Sequence, residues 1–201
     1  MGFSDLGLWK DQELKIHTCI DGALEKLRAE VKIDENAIED FISGKLHRYL
    51  LNEKKRLKLR AVQIVRQFAI YEEVDSAKPI GYPDIAYCWD DFDSNQIEYH
   101  VECKRLKFKD GLFSSNYVNK GISRYQKSFY SNGHPSGTMI GYIQKGSEVE
   151  LLDEVNSFIP DPVSSLSLEY NSAERGISKY KQNFKTSTLF QLSHFWVNLS
   201  Q

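Results

Sequence analysis

Three charged residues near the middle of the chain are of the right types to do chemistry together. Asp84 follows Pro83 in "GYPDIAYCWD", and Glu102 and Lys104 flank Cys103 in "IEYHVECKRLK". Two carboxylates with a gap between them bind a hard cation such as Mg²⁺ through oxygen ligands. A lysine beside them lowers their repulsion and can orient or deprotonate a water, or steady a phosphate. Carboxylates, a divalent metal and a lysine are the working parts of phosphodiester hydrolysis. The plain alternative is an exposed cross-strand ion pair at Glu102 and Lys104, which contributes little to stability.

The elements around these residues must bring them to one place. Strand side chains alternate, so Ile97, Tyr99, Val101 and Cys103 share one face while Glu98, His100, Glu102 and Lys104 share the other. Strands near 83–89 and 97–104, joined by an acidic turn, put Asp84 beside Glu102 if its face matches. Helical apolar spacing at Leu14, Ile20, Leu24, Leu27 and Val31 predicts a helix over 14–31. Asp34 is the expected N-cap of a second helix whose stripe is Ile38, Phe41, Ile42, Leu46, Tyr49 and Leu50. "AVQIVRQFAIYEEV" reads as the first strand, with Ile64, Phe68 and Ile70 on one face. After Lys104 come a loop, a helix near 117–130, a strand at "TMIGYIQKG" and a helix at "VELLDEVNSFI". Residues 160–183 read as loop, and "STLFQLSHFWVNL" as a closing strand. The order ααβββαβαβ calls for an α/β fold, a mixed central sheet flanked by helices on both faces.

Pro83-Asp84 followed by Glu102-Cys103-Lys104 resembles the signature of the PD-(D/E)XK nuclease superfamily. The resemblance covers residues 35–143 and implies a restriction endonuclease-like fold. It implies that Asp84 and Glu102 ligate Mg²⁺, with Mn²⁺ able to substitute, that the Cys103 carbonyl joins them, and that Lys104 is the catalytic cation. A Glu from the helix before the sheet would add a ligand; Glu39 is the candidate and Glu35 its rival. A branch of the superfamily carries Gln and Tyr four apart on the following helix, which Gln126 and Tyr130 match in spacing. The function implied is a Mg²⁺-dependent nuclease, a DNA endonuclease in host defence against phage or plasmids. The rival reading is a non-catalytic scaffold on the same fold, binding DNA or a protein. DNA and RNA are not distinguished at this stage.

The chain has 201 residues and a net charge of −2, enough for one sizeable core. A single domain is expected, with a helical part over 11–60, a catalytic sheet over 61–145 and a C-terminal part over 146–201. The charge is distributed in blocks: residues 45–70 carry +7, 71–103 carry −8 and 104–127 carry +6. An acidic block between basic ones suits a site that holds cations and faces an anionic polymer. Lys54, Lys55, Arg56 and Lys107 are the candidate phosphate contacts. Sequence preference would come from loops, a homodimer or a partner protein. No apolar run reaches the length a membrane helix needs. With no signal peptide in view and three cysteines lacking metal-type spacing, a cytoplasmic protein with reduced thiols is expected. His100 reads as a strand histidine on the catalytic face, and His194 as core.

Overall fold

A computed structural model describes residues 3–30, 33–71, 78–90, 96–131, 133–161, 164–172, 174–185 and 189–200. The acidic turn expected between the two central strands falls at 91–95, outside the described residues.

A seven-stranded mixed sheet runs through the molecule in the order β1-β2-β3-β4-β7-β6-β5. Its strands are β1 (Gln63–Arg66), β2 (Ile85–Asp90), β3 (Gln96–Lys107), β4 (Ser136–Lys145), β5 (Ser167–Ser172), β6 (Ile177–Lys185) and β7 (Leu189–Asn198). β1, β2 and β3 pair antiparallel, β3, β4 and β7 parallel, and β7, β6 and β5 antiparallel. Helices α1 (Phe3–Glu30) and α2 (Glu39–Arg56) lie on one face. There Ile20, Leu24, Leu46 and Leu50 pack on Tyr99, Val101, Cys103 and Tyr142. On the other face lies a helical run of α3 (Gly111–Asn116), a π-helical segment (Tyr117–Ile122) and α4 (Ser123–Gln126), followed later by α5 (Glu148–Ser157). Tyr117, Ile122, Leu151 and Val155 pack there on Leu106, Met139 and Trp196. Alternation along β3 and β4 thus feeds two cores, one per face.

Several expectations are corrected. β5 and β6 occupy much of the stretch read as loop. β1 stops at Arg66 because Gln67 adopts φ +50, a conformation that breaks an extended strand. Asp34 does not cap α2; its Oδ1 accepts from the Asn36 amide at 2.7 Å, making a turn ahead of the helix. Ile38 sits at the N-cap position without a side-chain cap. Ile38 and Phe41 are exposed rather than on the buried stripe. The helix near 117–130 starts earlier, at Gly111, and ends at Gln126. Cys19, Cys88 and Cys103 are all buried. No helix among the described residues is long and apolar enough to cross a membrane.

Candidate functional site

The site forms where β2 begins and β3 passes it. Ile85 lies opposite Val101, so Asp84, one residue before, comes level with Glu102, one residue after. Asp84 Oδ2 accepts from the Cys103 amide at 2.7 Å, which fixes the carboxylate over β3. Glu102 is 2 % exposed. Its Oε1 meets Lys104 Nζ at 2.8 Å and an Arg124 guanidinium nitrogen at 3.4 Å, while its Oε2 has no hydrogen-bond partner.

Lys104 Nζ is the hub. It donates to Glu39 Oε1 at 2.9 Å and to the Cys103 carbonyl at 2.7 Å, and lies 4.0 Å from Asp84. Glu39 Oε2 accepts from the Arg105 amide at 3.2 Å. Glu39 therefore reaches the site, but both its oxygens are engaged, and its role in this geometry is to anchor Lys104. Glu35 is exposed. The uncapped start of α2 is held by the sheet: Gln144 Nε2 donates to the Ala37 and Asp34 carbonyls at 2.9 and 3.3 Å, and Arg105 to Ala37 at 3.3 Å.

The electrostatics follow from crowding acids out of water. Burial, with Glu102 nearby, pushes the Asp84 carboxyl up to about 7. Burial also raises Glu102, against the pull of Lys104 and Arg124. For Lys104, burial favours the neutral amine, but Glu102, Asp84 and Glu39 outweigh it and hold the ammonium above its ordinary range. Burial and then Glu102 raise the Tyr130 phenol.

The site opens into a cleft of about 210 Å³ lined by Glu39, Lys104, Arg105, Phe113, Asn116, Lys120 and Arg124. Four of these seven are cationic, so the cleft suits an anion. The π-helical segment delivers Lys120 and lays Gly121 against the sheet, where a side chain would meet Met139 and the Lys104 stem; such segments recur at functional sites. Arg124, Lys120, Asn116 and Phe113 were not singled out by sequence reasoning. Their only signal was membership of a basic block.

Other predicted residues fall elsewhere. Gln126 is exposed at the end of α4 and does not line the cleft. Tyr130 lies beyond the helix, past Ser128 at φ +57, so the four-residue spacing does not place the pair on one helical face. Tyr130 is buried and its hydroxyl accepts from Arg124. Lys54, Lys55 and Arg56 end α2, roughly 25 Å of helix from Glu39. Arg56 is paired with the buried Glu53 at 2.7 Å. Lys107 stacks on Phe113 at 5.2 Å, beside the cleft. His100 is buried, with Nδ1 accepting from the Ser131 amide at 2.8 Å and Nε2 on Glu98 at 3.1 Å. His194 is core, bonded to Tyr117 at 2.9 Å.

Among the described residues no three His, Cys, Asp or Glu side chains form a ready metal cage. The oxygens gathered there are those of Asp84, Glu102 and the Cys103 carbonyl, the last already accepting from Lys104 Nζ. A hard-cation donor set with one unpartnered buried oxygen, at Glu102, fits a divalent ion. No protein-family model matches the chain, and neither the curated proteins nor the solved structures contain a significant match.

Proposed function

We propose that the chain is a divalent-metal-dependent nuclease of the PD-(D/E)XK type, on a restriction endonuclease-like variant of its mixed sheet, cleaving DNA internally in host defence. The observation that carries this reading is the convergence of Asp84, Glu102, Lys104 and Glu39 beneath a cationic cleft, with a buried carboxylate oxygen left unpartnered. Asp84, Glu102 and the Cys103 carbonyl would hold Mg²⁺ or Mn²⁺, which supplies Lewis acidity at the scissile phosphate when bound. Arg124 and Lys120 draw the phosphate in and balance its charge. Lys104, an ammonium in this geometry, donates to developing negative charge and orients the attacking water; it is too basic to take its proton. Glu39 keeps Lys104 aimed.

A second reading, a non-catalytic scaffold, is favoured by one observation: Lys104 is already engaged by Glu39, Glu102 and the Cys103 carbonyl, as in a structural ion cluster. One experiment separates the two. Supercoiled, linear and single-stranded DNA, and RNA, are incubated with and without Mg²⁺ or Mn²⁺ while melting temperature is followed. Cleavage of closed circles is expected only with metal, and metal should raise the melting temperature by binding the folded state alone. Asp84→Asn, Glu102→Gln and Lys104→Ala should each cut cleavage at least about a hundredfold, and Glu102→Gln should remove the thermal shift. No cleavage and no shift would leave the scaffold.

A further inference from the structure

Lys104 stands where the oxygens of the candidate metal site converge. An ammonium has three donors, and here each one is used: on Glu39 Oε1 at 2.9 Å, on Glu102 Oε1 at 2.8 Å and on the Cys103 carbonyl at 2.7 Å. Asp84 Oδ2 lies 4.0 Å from the same nitrogen. Glu102, the Cys103 carbonyl and Asp84 are also the groups that would hold a divalent ion. A cation of the chain's own therefore faces every donor of that set. A second cation cannot share it, because like charges this close repel strongly away from water.

The lysine has one partner outside the set. Glu39 comes from α2, and its other oxygen, Oε2, is fixed by the Arg105 amide at 3.2 Å. Lys104 also lines the cleft, together with Glu39, Lys120 and Arg124. Its stem is a flexible four-carbon chain. The stem passes Gly121, where an added Cβ would lie 3.6 Å from Lys104 Cγ, so no side chain at that position fixes it. We propose that Lys104 is a displaceable internal cation. When a divalent ion binds, its ammonium leaves Glu102 and the Cys103 carbonyl, stays tethered to Glu39, and turns into the cleft. There it joins Lys120 and Arg124 in a site for a phosphate-like dianion. Glu102 then offers the ion both oxygens: Oε1, released by the lysine though still beside Arg124 at 3.4 Å, and Oε2, buried with no hydrogen-bond partner. The proposal rests on reading Asp84 and Glu102 as metal carboxylates. It adds that metal and phosphate help each other to bind, since both move the same nitrogen the same way and such coupling is reciprocal.

The test follows Mn²⁺ binding through the electron paramagnetic resonance signal of the free ion, with sulfate as the dianion and chloride at equal ionic strength as its control. Lys104→Met and Lys104→Gln should each bind Mn²⁺ at least about tenfold more tightly than wild type. Lys120→Gln takes the same charge from the same cleft, but Lys120 is exposed and has no bond to the acids; it should change Mn²⁺ affinity by less than about threefold. Saturating sulfate should raise the Mn²⁺ affinity of wild type by about fivefold or more, and both Lys104 variants should lose that gain. The wild-type measurement decides the matter even where a substitution unfolds the chain, because no gain with sulfate overturns the proposal. Lys104 variants that bind Mn²⁺ no more tightly than wild type, or that keep the sulfate gain, overturn it too and leave the nuclease reading standing. Absence of Mn²⁺ binding in wild type and in folded Lys104 variants alike removes both.

Discussion

Asp84→Asn should lose activity and gain stability. The wild-type carboxyl, pushed up to about 7 by burial and by Glu102, costs the folded state most when it is ionised. A folded pKa above the unfolded one means stability is full below the unfolded value and falls as pH rises through about 7. Asparagine keeps an oxygen for the Cys103 amide and removes the charge. At pH 8 the variant should be more stable by over about 1 kcal/mol in urea unfolding; equal or lower stability would mean the Asp84 carboxylate is well compensated. Asp84, Glu102 and Lys104 could be placed from the sequence because strand alternation alone puts the last two on one face. Arg124 and Lys120 could not, because their direction depends on a π-helical segment whose extra residue per turn shifts every following side chain. The Gln126–Tyr130 pair failed for a related reason: the spacing presumes a helix that has already ended.

Helix α2 reaches the site without a cap, so its start depends on the sheet. Gln144 in β4 bonds the Ala37 and Asp34 carbonyls and thereby sets where Glu39 begins its turn. Gln144→Leu keeps the bulk and removes both bonds. It should lower cleavage by about tenfold, on the scale of one or two hydrogen bonds at about 1 kcal/mol each. The loss should fall in turnover more than in DNA affinity, since the cleft's cations are untouched; an unchanged turnover number would show that the α2 start is positioned without Gln144. The strands β2, β4 and β7 were legible from their apolar runs, and β3 from its strict alternation. β6 was missed although Tyr180, Gln182 and Phe184 alternate with Lys179, Lys181 and Asn183; its lysines disguised a strand with one face buried and the other turned toward solvent. β5 had no such signal, being exposed along nearly its whole length at the sheet edge.

The whole molecule carries two opposing responses to acid. His17 and His194 are each lowered to about 3, His17 by burial and then Lys179, His194 by burial. A depressed base contributes stability that is present above its unfolded pKa and lost as pH falls toward the folded one. Each histidine should therefore cost up to about 1.4 kcal/mol per pH unit between about 6.5 and 3. Asp84 works the other way over much of the same range, since its protonation favours the fold. The Asp84→Asn variant should accordingly lose melting temperature more steeply than wild type between pH 6.5 and 4.5; parallel curves would show that Asp84 titrates alike folded and unfolded. The charge blocks also divide at this scale. The 104–127 block became the cleft wall, whereas part of the 45–60 block serves the buried Glu53, which pairs with Lys26 at 2.9 Å as well as with Arg56.

β7, the last of the described strands, lies inside the sheet between β4 and β6. A chain emerging from the ribosome cannot zip this sheet in order. Until residues 189–198 arrive, β4 has an open edge and the second core lacks Phe190, Leu192 and Trp196. Every residue of the candidate site, from Glu39 to Arg124, has been made by then. The residues of the candidate site are thus all made before the strand that completes the sheet beneath them, so the site's geometry is set late in the folding of this sheet.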